Sequence, residues 1–291
     1  MKPWMRRLSS LLLVLTSSQL AAEPSLWLAT KNQQQLYLFG SIHIGSEQFY
    51  PLPDTFIQAF ERSQRLVIET DVSSLSTNDR RLLQQTTQQA SGHTLADDIS
   101  PDYQQKLAKI SQQLGLSPSM FDNMQAWYVA IMLSQLQMQN LGYQTELGLD
   151  LHFIEQARHN NTPIYQLESF AEQLTTLQQL SHIQTSLLEQ TIDDFEHIPQ
   201  VFEQLVAYWN EGDNQQLFAL LKDDPMFQQD AEWLSEALLY RRNRHWISQL
   251  TQLNGTSFVV VGAMHLYGEK GLLNELTQLG YVIREVDPKH L

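Results

Sequence analysis

Two stretches at opposite ends of this chain carry one pattern, an apolar run that stops at a glycine and delivers a histidine three residues later. Residues 36–45 read LYLFGSIHIG and residues 257–268 read SFVVVGAMHLYG, which places Gly40 before His43 and Gly262 before His265. Each run has the composition of a buried strand, and glycine permits the turn that presents the imidazole. A fold that buries both runs in one sheet brings two strand ends, and with them two imidazoles, to one place. That requirement shapes every expectation below.

The remaining chain supplies the elements for such a sheet. Residues 25–30 and 35–39 are apolar runs separated by Lys31, Asn32 and Gln33, a hairpin signal with Asn32 suited to the left-handed turn position. Pro51, Pro53 and Asp54 precede a helical face of Phe56, Ile57 and Phe60. Residues 66–68 make a third strand ending on Glu69, Thr70 and Asp71. From Asn78 to about Leu250 the pattern is helical, with Ser100-Pro101 and Ser117-Pro118 as helix starts and Gly115 as a stop. Phe121, Met124, Trp127, Tyr128, Ile131, Met132 and Leu136 lie at helical spacing between Pro118 and Asn140 and read as core. One strand, residues 163–167, interrupts this segment and ends on Glu168 and Ser169. The strand over residues 258–261, a helix over 268–279 closed by Gly280, and a strand over 281–286 suggest a right-handed parallel crossover.

The expected class is therefore α/β of mixed α+β character. A central mixed sheet is drawn from both chain ends, a large helical segment is inserted at about 78–250, and the paired strand motifs suggest internal duplication. Lys2, Arg6 and Arg7, the apolar run 8–15 and small residues to Ala22 read as a secretory signal, well short of the ~20 residues that span a bilayer. The reading is a signal over 1–22, one domain over 23–291, and a periplasmic or secreted location. The chain contains no cysteine, so neither a lipobox thiol nor a disulfide is available. Its formal charge of −14 disfavours nucleic acid and anionic lipid as partners. A peptide or small molecule remains as substrate.

Several familiar sites are excluded: a zinc-binding His-Glu-x-x-His helix, a Gly-x-Ser-x-Gly elbow, a phosphate-binding loop with lysine, and a cysteine nucleophile. His152 and Glu155 are helical neighbours, and such a pair reads as surface, because a metal site needs three or four convergent groups. His93, His159, His182, His197 and His290 read as surface or local hydrogen-bonding residues, and His245 with the adjacent arginines as complementing a helix end. What remains is His43, His265, Glu69 and Glu168 at strand ends, with Asp150 in the run 146–150. Two imidazoles with carboxylates suit Mn²⁺, Co²⁺, Fe²⁺ or Zn²⁺ with a position open for water. Such an ion acidifies the water, and a free carboxylate takes its proton. Arg242 offers a two-pronged donor to an oxyanion or a substrate carboxylate.

Taken in order, Gly40-x-x-His43, Glu69, Gly148-Leu-Asp150, Leu167-Glu168, Arg242-Asn243-x-x-Trp246 and Gly262-x-x-His265 resemble the TraB/PrgY/GumN proteins, which include the Tiki metalloproteases that act on Wnt. The likeness runs from residue 36 to 268, and the chain is similar to the secreted bacterial GumN-like branch. Met264 departs from the small residue that many relatives place before the second histidine. The resemblance implies an erythromycin-esterase-type α/β fold with both Gly-x-x-His motifs facing one pocket. It also implies metal-dependent peptide-bond cleavage, with His43 and His265 on the metal and Glu69 as third ligand or general base. The residues' own chemistry places Glu168 and Asp150 in or behind the coordination shell and has Arg242 stabilise the oxyanion or orient substrate. The alternative is a non-catalytic periplasmic protein that captures a peptide or small ligand in the same pocket, and a third reading leaves the histidines as hydrogen-bonded parts of the sheet rim.

Overall fold

A computed structural model describes residues 23–222 and 231–287. The secretory segment read over 1–22 and His290 lie outside the described residues. Six strands form one sheet: β1 (Leu26–Lys31), β2 (Gln34–Ser41), β3 (Arg65–Ile68), β4 (Ile164–Gln166), β5 (Thr256–Gly262) and β6 (Val282–Glu285). Their order across the sheet is β4-β3-β5-β2-β1-β6. The first four strands of that order run parallel, β1 pairs antiparallel with β2, and β6 pairs antiparallel with β1. The sheet is thus mixed and drawn from both chain ends, as expected. Asn32 makes the hairpin turn at φ 54°.

Alternation along the strands divides the apolar residues between two faces. Phe258 and Val260 pack with Leu26, Phe39, Leu66 and Ile68 against α1 (Asp54–Glu61) and α5 (Leu149–His159). Val259 and Val261 pack with Leu36, Leu38 and Val67 against α11 (Arg241–Leu250) and α12 (Leu272–Gln278). Cover on both faces is why β5 carries four consecutive apolar residues, Phe258–Val261, rather than alternate ones.

The segment between β3 and β5 supplies the other helices, α2 (Thr77–Thr87), α3 (Pro101–Gln113), α4 (Ala126–Asn140), α6 (Phe170–Gln178), α7 (Gln184–Asp193), α8 (Ile198–Asn210), α9 (Asn214–Lys222) and α10 (Ala231–Ser235). It holds a core of its own, in which Phe121 and Trp127 are fully buried and Met124, Tyr128, Ile131, Met132 and Leu136 pack around them. A π-helical turn, Glu236–Tyr240, joins α10 to α11. Among the described residues no helix is long and apolar enough to cross a membrane.

Two expectations need correction. Residues 118–140 are not one helix: Pro118–Phe121 is a 3-10 turn, and α4 begins only at Ala126. The residues between are diverted into bonds with the end of α2, where Gln89 N donates to Asn123 O at 2.8 Å and Gln125 N to Thr87 O at 2.8 Å. The helix read over 268–279 starts at Leu272, because Gly268 lies at φ 87°. The expected parallel crossover is present, since β5, α12 and β6 follow one another and β5 and β6 point the same way, with the β1–β2 hairpin between them in the sheet.

Candidate functional site

Four parallel strands end side by side, which is where open α/β sheets place their ligands. Gly40 lies opposite Val261 and Ser41 opposite Gly262, so β2 and β5 deliver His43 and His265 from adjacent strands. β3 and β4 deliver Glu69 and Glu168, and the ladder continues past both, with Leu167 N donating to Ile68 O and Glu168 N to Glu69 O. Glu69 and Glu168 are both buried, so neither is a solvated strand end.

Each imidazole is held through its Nδ1. The loop carrying His43 touches the start of α5 so closely that a Cβ on Gly45 would lie 1.9 Å from Leu147 O, and one on Gly148 2.5 Å from His43 O. That approach sets Asp150, in the first turn of α5, beside His43, with Oδ2 3.2 Å from Nδ1. The other oxygen, Oδ1, accepts from Ser41 Oγ at 2.8 Å. His265 Nδ1 lies 2.6 Å from Asn243 Oδ1. The Asn243 amide is oriented by its other end, since Nδ2 donates to the carbonyls of His265 and Lys270 at 3.1 and 2.9 Å. Its oxygen therefore faces the ring, and His265 carries its proton on Nδ1.

Both Nε2 atoms lie on the Glu69 side of their rings. His265 Nε2 is 3.8 Å from Glu69 Oε1. A Cβ on Gly262 would lie 3.2 Å from His43 Nε2 and 3.3 Å from Glu69 Oε1, so glycine alone keeps that gap open. The Gly262 N–H donates to the same Oε1 at 2.7 Å. Arg242 enters from the opposite wall. Its Nε and Nη2 clamp Glu168 at 3.0 and 2.7 Å, and Nη2 also reaches Glu69 Oε2 at 2.5 Å. Nη1 donates to Leu238 O at 3.0 Å and to His265 Nε2 at 2.9 Å. All five N–H groups of a guanidinium are then used within the protein. In this arrangement Arg242 has no donor left for an oxyanion and organises three side chains instead.

The charges follow from these contacts. Asp150, against the opposing effect of burial, raises His43 to about 9, although its side chain is 64% open to the cavity. Burial resists ionisation of Glu69, but His265, Arg242, His43 and the Gly262 N–H outweigh it and hold the carboxyl at about 2. Burial drops His265 to about 3 and keeps it neutral. Glu168 is pushed up by burial, with Arg242 opposing.

His43 Nε2, His265 Nε2 and Glu69 Oε1 are the donor atoms that suit a divalent cation, and each histidine has the Nδ1 partner typical of a ligating ring. Yet among the described residues no three His, Asp or Glu side chains stand at coordination spacing. Arg242 takes the His265 lone pair and neutralises Glu69 and Glu168, so a cation would need that contact released. Asp150 and Glu168 face His43 Nδ1 and Arg242 rather than the gap between the Nε2 atoms.

These groups form one end of a cavity of about 580 Å³, of which Glu168 is not part. Sequence reasoning assigned no role to Ser41, Asn243, Gln173 or Trp246. Gln173 Nε2 lies 3.3 Å from Glu69 Oε2. The Trp246 ring packs on His265 at 4.3 Å and beneath the Arg242 guanidinium at 4.6 Å. Asn243 and Trp246 were marked only as points of the family resemblance, since side-chain partners far along the chain leave no sign of their role in the run 241–246. Glu155 is exposed as expected, whereas His152 is half-buried, with its ring 5.1 Å from that of Tyr50. Arg241, Arg244 and His245 begin α11 rather than end a helix.

A model of the TraB/PrgY/gumN family matches residues 25–285. The chain is 29% identical over 250 residues to uncharacterized protein YbaP of Escherichia coli (strain K12), covering 86% of this chain and 90% of that protein. The Shigella flexneri protein of the same name matches to the same extent. No solved structure matches.

Proposed function

The chain belongs to the TraB/PrgY/gumN family, and from that premise we propose that it is a metal-dependent hydrolase of peptide bonds. The observation that carries this reading is the convergence of two imidazoles, each pinned at Nδ1, on the single buried carboxylate of Glu69 at the end of a parallel sheet. His43, His265 and Glu69 would hold the ion. When bound it would polarise the scissile carbonyl and acidify an attacking water.

The chain's own groups do the rest. Asp150 and Asn243 hold the two rings in the required orientation, and Gly262 keeps the space between His43 and Glu69 clear. Arg242 holds Glu69 ionised, pairs with Glu168 below the site, and is a positioning residue, not one that touches substrate in this arrangement. The walls of the cavity beside the reacting end are largely apolar.

The test is metal content by mass spectrometry of protein stripped and reloaded with Mn²⁺, Co²⁺ or Zn²⁺, for wild type, His43→Ala and His265→Ala, alongside a peptide-cleavage screen. Near-stoichiometric metal and cleavage, both lost in each variant while circular dichroism is unchanged, is the expected result. No metal in any sample overturns the reading. Bound peptide that stays intact in the metal-loaded protein favours instead a binding protein that uses the same pocket.

A further inference from the structure

The walls of the cavity differ sharply from its reacting end. The lining includes Ile42, Val72, Leu177, Leu205, Leu238 and Leu239, contributed by the loop after β2, the turn after β3, α6, α8 and the π-turn. The ionisable groups His43, Glu69, Asp150 and Arg242 gather at the sheet end, beside His265. Each already has a partner in the protein, His43 with Asp150 and Arg242 with Glu69. A charged group brought into this cavity would lose water and meet no free counter-charge, which is a net cost. An aliphatic group would remove the apolar walls from water and gain by it. The volume lies in the range of sites that enclose a whole small ligand rather than a single methyl group.

We infer that the site takes an uncharged substrate with a bulky aliphatic body next to the carbonyl it cleaves, supplied either by consecutive aliphatic residues of a peptide or by an acyl chain. The position of the cleaved carbonyl rests on the hydrolase reading, whereas the preference for an aliphatic, neutral body rests on the walls.

The experiment is calorimetric titration of the full chain, stripped of metal and kept in chelator so that nothing turns over. The probes are N-acetyl-trileucine amide, the same peptide with lysine or with glutamate at the centre, and octanamide. The trileucine peptide is expected to bind at least about tenfold more tightly than either charged analogue, the scale on which apolar pockets discriminate. Octanamide binding as well as the peptide assigns the aliphatic body to an acyl chain, and weak octanamide binding assigns it to a peptide. Val72→Lys and Leu239→Lys place a charge in the wall. Val72 is 42% exposed, so Val72→Lys is expected to leave the fold intact, as circular dichroism would check. Both variants are expected to weaken the trileucine peptide about tenfold and to improve the glutamate analogue. Equal or tighter binding of the charged peptides, no binding of any probe, or trileucine binding unchanged in both variants overturns the inference. Cleavage of charged peptides by the metal-loaded protein would overturn it while leaving the hydrolase standing. Tight aliphatic binding with no cleavage would do the reverse.

Discussion

Asn243 is 1% exposed and spends its whole amide on the environment of His265, donating twice to backbone carbonyls and accepting once from the ring. Asn243→Ala would strand three buried polar groups and free the ring to turn. The expected cost is about 1–3 kcal/mol, the range for leaving a buried partner unsatisfied, measured as a lower urea midpoint. Metal affinity, measured by titration of the folded variant, is expected to fall roughly 10–100-fold, the usual effect of losing an orienting partner. His43, His265, Glu69 and Glu168 were legible in sequence because a polar residue that ends an apolar run must be paid for by something nearby. Asn243 and Ser41 were not, because an asparagine on a helix and a serine in a turn look alike whether they face solvent or a ring. Their partners lie 22 and 109 residues away.

At the scale of elements, α5 does two jobs. Its first turn carries Asp150 to His43, and its next residues pack His152 between Tyr50 and Phe153, with ring centroids 5.1 and 5.4 Å away. Burial lowers the pKa of His152, and its Nε2 has no hydrogen-bond partner. A histidine depressed in the folded state binds its proton more readily when unfolded. Its contribution is therefore intact above the ordinary value of 6.5 and is lost as pH falls from there through the folded value. Thermal melts between pH 7.5 and pH 5 should show stability falling in the wild type, and less steeply in His152→Leu. A steeper fall in the variant would refute this. The hairpin, the strand ends and the Gly115 stop were legible because local backbone preference and burial agree there. The break in residues 118–140 was not, because helical spacing persists through it. What interrupts the helix is hydrogen bonding to α2, which is remote in sequence.

At the scale of the whole molecule, Arg242 ties the helical wall to the ends of three strands, through Glu69 after β3, Glu168 after β4 and His265 after β5. Its side chain is 12% exposed and those of the two glutamates 5% and 4%. Arg242→Met removes the counter-charge and leaves two carboxylates buried. The expected loss is about 3–5 kcal/mol, read from urea denaturation at neutral pH, the range for breaking a buried ion pair from one side. Full stability in Arg242→Met would show that the cluster is not coupled to folding.

By itself the sequence determined which segments had to be strands, that both Gly-x-x-His runs were buried, and which titratable residues stood at strand ends, since burial pattern and turn chemistry are local properties. The tertiary structure alone decided that β2 and β5 lie side by side. It also decided that Asp150 and Asn243 hold the two rings, and that Arg242 spends every donor on Glu69, Glu168, His265 and Leu238 rather than on a substrate. Those facts depend on strand order and on the direction of side chains across gaps of up to 173 residues. Hydropathy and spacing describe what a residue prefers around it, and strand order decides which residues provide it.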